Sequence, residues 1–139
     1  MTEKRTFAVA DEAAMIQLGR ELADLWKAGD CILLSGELGA GKTTLVRGIL
    51  AELGWTKAVR SPTFTILQTY ETEPPVLHAD LYRLESADDT GLEEYWHDHL
   101  CLIEWPDRLD ERVTSHAWRV EIAFEEPGRV VTVTPPALD

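Results

Sequence analysis

The chain contains no asparagine among its 139 residues. It therefore cannot carry the Asn-Lys-x-Asp sequence by which many switch GTPases read guanine. Apolar runs are short, and none approaches the roughly 20 residues of a membrane-spanning helix, so no membrane partner is expected. Cysteine is scarce. Cys31 and Cys101 each open an apolar strand-like run, which suits small core residues in a reducing compartment better than a disulfide. Positive charge is in deficit, with 13 basic against 25 acidic residues and a formal charge of -12. That balance opposes unassisted binding to a nucleic-acid backbone and favours partners with a basic face. There is no internal repeat, no low-complexity tract and no arginine-rich segment of the kind that closes over two substrates in small phosphotransferases. His78, His97, His99 and His116 form no metal-site spacing, and His97 and His99 read as an exposed pair.

A content of 45% hydrophobic and 27% charged residues is that of a globular protein, and the length suits one domain spanning residues 1–139. The segment Gly36-Glu37-Leu38-Gly39-Ala40-Gly41-Lys42-Thr43-Thr44 fits the phosphate-loop pattern G-x-x-x-x-G-K-[ST]. Such a loop curls so that successive backbone N–H groups point at a polyphosphate, and Gly36, Gly39 and Gly41 give it the torsional freedom to do so. Lys42 can reach the outer phosphates, the Thr43 hydroxyl can meet Mg²⁺, and the following helix turns its positive end to the anion. The context agrees. Cys31 to Ser35 is an apolar run fit for a buried parallel strand, and after the loop Leu45, Val46, Ile49, Leu50 and Leu53 recur at helical spacing before Gly54. Nucleotide binding follows as the expectation, with adenine favoured by the missing guanine signature.

Elsewhere, Thr6 to Val9 reads as a strand and Asp11 as the cap of an amphipathic helix running to about Ala28, with Met15, Leu18, Leu22 and Leu25 on one face. Asp11 and Glu12 are helix-start residues that could also touch a nucleobase. Phe64 to Tyr70 alternates like a strand, Glu73-Pro74-Pro75 interrupts it, and Val76 to Tyr82 returns as an antiparallel partner. Leu92 to Trp96 suits a brief helix, and Cys101 to Glu104 a strand stopped at Trp105-Pro106. A second hairpin turns at Pro127-Gly128, with Val120, Ile122 and Phe124 on one side of its first arm. The fold expected is α/β: a mostly parallel sheet of the P-loop NTPase type, flanked by helices, with antiparallel hairpin additions.

A phosphate-loop enzyme needs a strand-end acid to complete the magnesium shell. Glu104 fits by position, either coordinating Mg²⁺ or positioning a water, with a solvated terminal acid as the alternative. Asp80 is a second acid of the same kind. Ser61-Pro62-Thr63 suits a loop that senses the terminal phosphate and equally an ordinary turn. Trp105 beside Glu104 could pack, shield the acid or meet a partner. Arg83 and Arg108 are candidate charge stabilisers, or surface ion pairs.

Taken together, the phosphate loop, Ser61-Pro62-Thr63-Phe64, His78-Ala79-Asp80-Leu81-Tyr82-Arg83 and Leu102-Ile103-Glu104-Trp105-Pro106 resemble, in this order, the TsaE family, also known as YjeE. These are small ATPases of bacterial threonylcarbamoyladenosine tRNA modification. The resemblance implies a weak, partner-dependent, cytoplasmic ATPase that uses ATP and Mg²⁺. It would join TsaD and TsaB, which modify adenosine 37 of tRNAs reading ANN codons, and support turnover of that complex without binding tRNA tightly itself. It further implies Thr43 and Glu104 as Mg²⁺ ligands, and Gly39, Ala40, Gly41, Lys42, Thr43 and Thr44 as phosphate binders. Lys42, Asp80 and Glu104 would form the catalytic group, Ser61 to Thr63 a switch loop, and Glu12 and Arg129 would flank the nucleotide. A small-molecule kinase and a non-hydrolysing, nucleotide-gated binding module remain open as rival classes.

Overall fold

A computed structural model describes residues 3–37, 39–59, 67–81, 92–105 and 115–137. Its strands form one seven-stranded sheet in the order β1-β7-β6-β2-β5-β4-β3. The strands are β1 (Arg5–Val9), β2 (Cys31–Ser35), β3 (Leu67–Tyr70), β4 (Val76–Asp80), β5 (Leu100–Glu104), β6 (Trp118–Glu125) and β7 (Gly128–Thr134), with helices α1 (Glu12–Ala23) and α2 (Lys42–Glu52). The centre is parallel, β6-β2-β5-β4, and each edge is finished by an antiparallel hairpin, β6-β7 on one side and β3-β4 on the other. β1 then pairs antiparallel with β7. The α/β expectation holds, including both hairpins.

Strand parity divides the core. Ile32 and Leu34 of β2, Leu100 and Leu102 of β5, Val120 and Ile122 of β6, and Val131 and Val133 of β7 share one face with the buried residues of both helices. Leu33, Leu77, Ala79, Cys101 and Ile103 point the other way and pack with Leu92, Tyr95 and Trp96, in and after the 3-10 turn Leu92–Glu94. The brief helix expected over 92–96 is thus a single tight turn. Cys31 and Cys101 lie opposite one another on neighbouring strands as free thiols. Burial pushes both up, Cys101 to about 12, so neither ionises near neutrality.

The extent of the first helix also needs correction. α1 starts as expected, with the Ala14 N–H donating to the Asp11 side chain at 2.8 Å, but it ends at Ala23 and not near Ala28. The reason is local competition for donors. The Leu25 and Trp26 N–H groups turn back to Leu22 and Ala23, and the Lys27 N–H is taken by the Asp30 carboxylate, so these three donors are satisfied outside the α-helical pattern. Trp26 then enters the core edge-on to Trp118, at 5.9 Å between ring centroids, while Leu25 stays exposed. Phe124, on the same side of β6 as Val120 and Ile122, lies outside the core with 43% of its surface exposed and carries the Arg129 guanidinium over its ring. Of the first hairpin, only 67–70 of its outer arm and 76–80 of its return are described strands. The Ser61 to Ile66 stretch, Tyr82 and Arg83 fall outside the described residues, as does Arg108.

The helices meet through glycines. A Cβ on Gly48 would lie 2.1 Å from the Ile16 carbonyl oxygen, and one on Gly19 would lie 2.3 Å from that of Leu45. Mid-helix glycine ordinarily costs ~1 kcal/mol relative to alanine. Here the close approach reverses that sign. Gly48→Ala is expected to destabilise the fold by about 1–3 kcal/mol through overpacking, read as a lower urea midpoint at unchanged m-value, and a raised midpoint would contradict the packing argument.

Candidate functional site

Because β2, β5 and β4 run parallel, their carboxyl ends lie on the same edge, where open α/β sheets gather ligands. β2 ends at Ser35, β5 at Glu104 and β4 at Asp80. The register pairs Leu34 with Glu104 and Glu104 with Asp80. By parity the two acids share the helix-bearing face with Leu34, the face over which the loop from Gly36 to Gly41 leads into α2.

In the loop, Gly39 and Gly41 hold φ of 81° and 117°, values a side chain would resist. Gly36 is needed for a different reason: a Cβ there would lie 2.7 Å from the Ile122 carbonyl oxygen. Gly41 caps α2 without a side chain, and Lys42, Thr43 and Thr44 form its first turn. The N–H groups of that turn have no partner within the helix, which leaves them for an anion.

Lys42 is 6% exposed, and its ammonium donates to the main-chain carbonyls of Gly36 and Glu37. The Trp105 ring covers it at 4.4 Å. Trp105 reaches this place through a positive φ of 59°, rare for a bulky residue and a mark of local constraint. Desolvation lowers the Lys42 pKa, and the Glu104 and Asp80 charges oppose that shift. Glu104 is 3% exposed and Asp80 is half-buried. Glu104 is held by an unexpected group: Nε2 of the fully buried His78 lies 2.6 Å from its Oε2. The only sequence signal for this was parity, since His78 stands two residues before Asp80 on one strand.

On the other side of the loop, Glu12, Gly39, Ala40, Gly41, Thr44 and Arg129 line one cavity of about 430 Å³. Val9, Met15 and Pro127 are also in its walls, residues that the sequence marked only for a strand, a helix face and a turn. Arg129 is tied in by three contacts. Its Nε donates to the Ala40 carbonyl at 3.2 Å, its Nη1 donates to Gly128, and its guanidinium stacks at 4.3 Å on Phe124, its cross-strand neighbour. Glu12 pairs with Arg47 at 3.6 Å on the exposed surface. The sequence-derived set thus divides into a cavity beside the loop and the cluster of Lys42, Asp80 and Glu104, with Thr43 half-buried in the first turn of α2 and in neither group. Ser61 to Thr63 lie outside the described residues.

This arrangement defines a phosphate-loop-type α/β protein. The same fold is seen in the crystal structure of YdiB from Bacillus subtilis, which superposes with a TM-score of 0.84 at 29% identity over 99% of this chain and 88% of that one. Residues 9–131 match the family described as "Threonylcarbamoyl adenosine biosynthesis protein TsaE". Similar proteins named "tRNA threonylcarbamoyladenosine biosynthesis protein TsaE" occur in Streptomyces coelicolor, at 43% identity over 78% of both chains, and in Bacillus subtilis, at 41% over 78% of this chain and 71% of the relative. A third, from Nostoc, is 37% identical over 91% of this chain and 83% of its own. The chain belongs to the TsaE family.

The electrostatics of Lys42 can be checked. Glu104 supplies the larger of the two charges that keep its proton on, so Glu104→Gln should lower the Lys42 pKa further. An NMR titration of ¹³C-methylated Lys42 would follow this directly, and an unchanged or raised midpoint would remove the coupling.

Proposed function

We propose that this chain is the ATPase of tRNA threonylcarbamoyladenosine formation, binding Mg-ATP in the cytoplasm and acting with TsaB and TsaD to support turnover of the complex that modifies position 37 of tRNAs reading ANN codons. The observation that carries the reading is the meeting of a buried phosphate-loop lysine with two register-paired strand-end acids, in a chain of the TsaE family.

The donor set suits a magnesium nucleotide. The loop and first helical turn offer main-chain N–H groups and one lysine for phosphate oxygens, while the Thr43 hydroxyl with Glu104 gives the few hard oxygen ligands that Mg²⁺ takes from protein when phosphates supply others. Among the described residues no group of three or more His, Cys, Asp or Glu side chains is placed to hold a metal ion by itself. When bound, Mg²⁺ would neutralise phosphate charge and polarise the bond to be broken. The chain's own groups supply the rest. Lys42 would exchange the Gly36 and Glu37 carbonyls for phosphate oxygens, a shift from neutral to charged acceptors that strengthens each hydrogen bond. Glu104 would coordinate the metal, and Asp80, one strand further out, would hold the attacking water. The cavity between Val9, Met15 and Arg129 would take the adenine and ribose, with apolar walls for the base and the Arg129 guanidinium beside the phosphates.

An acidic chain fits this role only with help. Its charge of -12 repels RNA phosphates, so TsaB and TsaD would hold the tRNA. The deciding experiment is ATP hydrolysis by the chain alone and with TsaB plus TsaD. Hydrolysis stimulated by the mixture is expected, whereas stimulation by a small metabolite in its place would indicate a kinase, and no turnover in either case would indicate a nucleotide-gated binding module.

Lys42→Ala should weaken ATP binding by about 2–3 kcal/mol, the worth of a charge-assisted hydrogen bond set, and isothermal titration with unchanged affinity would refute the loop's role. Glu104→Ala should keep metal-free nucleotide binding but lower kcat at least roughly tenfold at fixed Mg²⁺. A normal kcat at saturating Mg²⁺ would contradict the role given to that acid.

A further inference from the structure

His78 stands in the middle of β4, on the same face as Asp80 and the phosphate loop. Its ring is fully buried, and Nε2 lies 2.6 Å from Oε2 of Glu104. The register explains the reach: Glu104 is level with Asp80, while His78 is level with Leu102, so the Glu104 side chain leans back along β4 by one same-face step. With Glu104 as a carboxylate, which only accepts hydrogen bonds, the hydrogen of this contact is the one on Nε2. Nδ1 has no partner among the described residues, which a bare lone pair tolerates better than a buried N–H would.

A buried histidine bonded to an acid can be simple core filling. Two features point further. On the helix-bearing face Val76 precedes His78 on its strand and Leu100 and Leu102 stand beside it on β5, all aliphatic, with Gln68 opposite on β3, so burial among these neighbours did not require an imidazole. The contact engages Oε2, and among the described residues no hydrogen bond reaches Oε1, which leaves that oxygen for another ligand.

We infer that His78 is a positioning residue for Glu104: its Nε2–H fixes the rotation of the carboxylate at the mouth of the phosphate loop, so that the remaining oxygen faces the divalent cation. The inference rests on the magnesium-nucleotide reading above. Glutamate has three side-chain torsions, and a ligand oxygen that swings among rotamers binds a cation more weakly than one already placed. Hydrogen bonds to metal-ligating carboxylates act in this way, and their loss weakens metal binding roughly 10- to 100-fold.

The test measures Mn²⁺ binding to the ADP-loaded chain by the EPR signal of free Mn²⁺, beside binding of a fluorescent ATP analogue in EDTA. His78→Leu removes the donor at similar volume. His78→Gln places an amide N–H near the position of Nε2, and His78→Asn ends short of it. Loss of roughly 10- to 100-fold in Mn²⁺ affinity is expected for the leucine and asparagine variants, near-original affinity for the glutamine variant, and unchanged metal-free nucleotide binding in all of them. Undiminished Mn²⁺ binding in His78→Leu or His78→Asn overturns the inference. So does equal weakening of metal and metal-free nucleotide binding, which marks a structural role, or a glutamine variant as weak as the asparagine one. If His78→Leu does not fold, the glutamine and asparagine pair decides alone. If the unsubstituted chain binds ADP but no Mn²⁺, the magnesium reading itself falls and takes this inference with it.

Discussion

Parallel pairing of β2, β5 and β4 in one register is the constraint on which the site depends. Because side chains alternate with a period of two, a slip of one residue in β5 would carry Glu104 to the opposite face and bring Ile103 to the loop. The aliphatic residues on both faces prevent that slip. Leu100 and Leu102 fill one cluster, Cys101 and Ile103 the other, and each would lose its packing if the strand shifted. The hydrophobic core thus sets the position of a charged group.

A carboxylate placed so deeply has to be compensated, since an isolated buried charge costs several kcal/mol. Glu104 is compensated on two sides, by the His78 hydrogen bond and by the field of the Lys42 ammonium. Lys42 is in turn satisfied by loop carbonyls and the Trp105 ring. It acts on Glu104 through its field, while the His78 contact holds that acid directly. The positive φ of Trp105 belongs to the same account: the chain must turn sharply after Glu104 for the ring to lie over the ammonium.

What was legible in the sequence was local. The phosphate loop, the apolar runs of β2 and β5, the Asp11 cap and both hairpins each carry their signal within a few neighbouring residues. What escaped reading depends on distant segments. Nothing near His78 in the chain shows that Glu104, 26 residues later, will meet its ring. The early end of α1 hides for a similar reason, because Leu25 continues the helical spacing while Trp26 is drawn toward Trp118. Phe124 continues the alternation of Val120 and Ile122, but parity records which way a side chain points and not how deeply it is buried. Resemblance to a family supplied Arg129, which spacing alone would not have selected, and added weight to Glu12, already marked at the start of the first helix.

The cavity beside the loop shows why these distant pairings matter together. One wall comes from Val9 to Glu12 near the start of the chain and another from Pro127 to Arg129 near its end, and the register of Val9 with Arg129 brings them side by side. Arg129 then reaches from β7 to the Ala40 carbonyl, joining the edge of the sheet to the loop. Any ligand that fills this space touches β1, β7 and the loop at once, so its binding free energy adds to whatever holds the edge hairpin against the parallel centre. Pocket and sheet edge are therefore one thermodynamic unit: a change that loosens β1 from β7 weakens the ligand, and the ligand resists the loosening by the same amount.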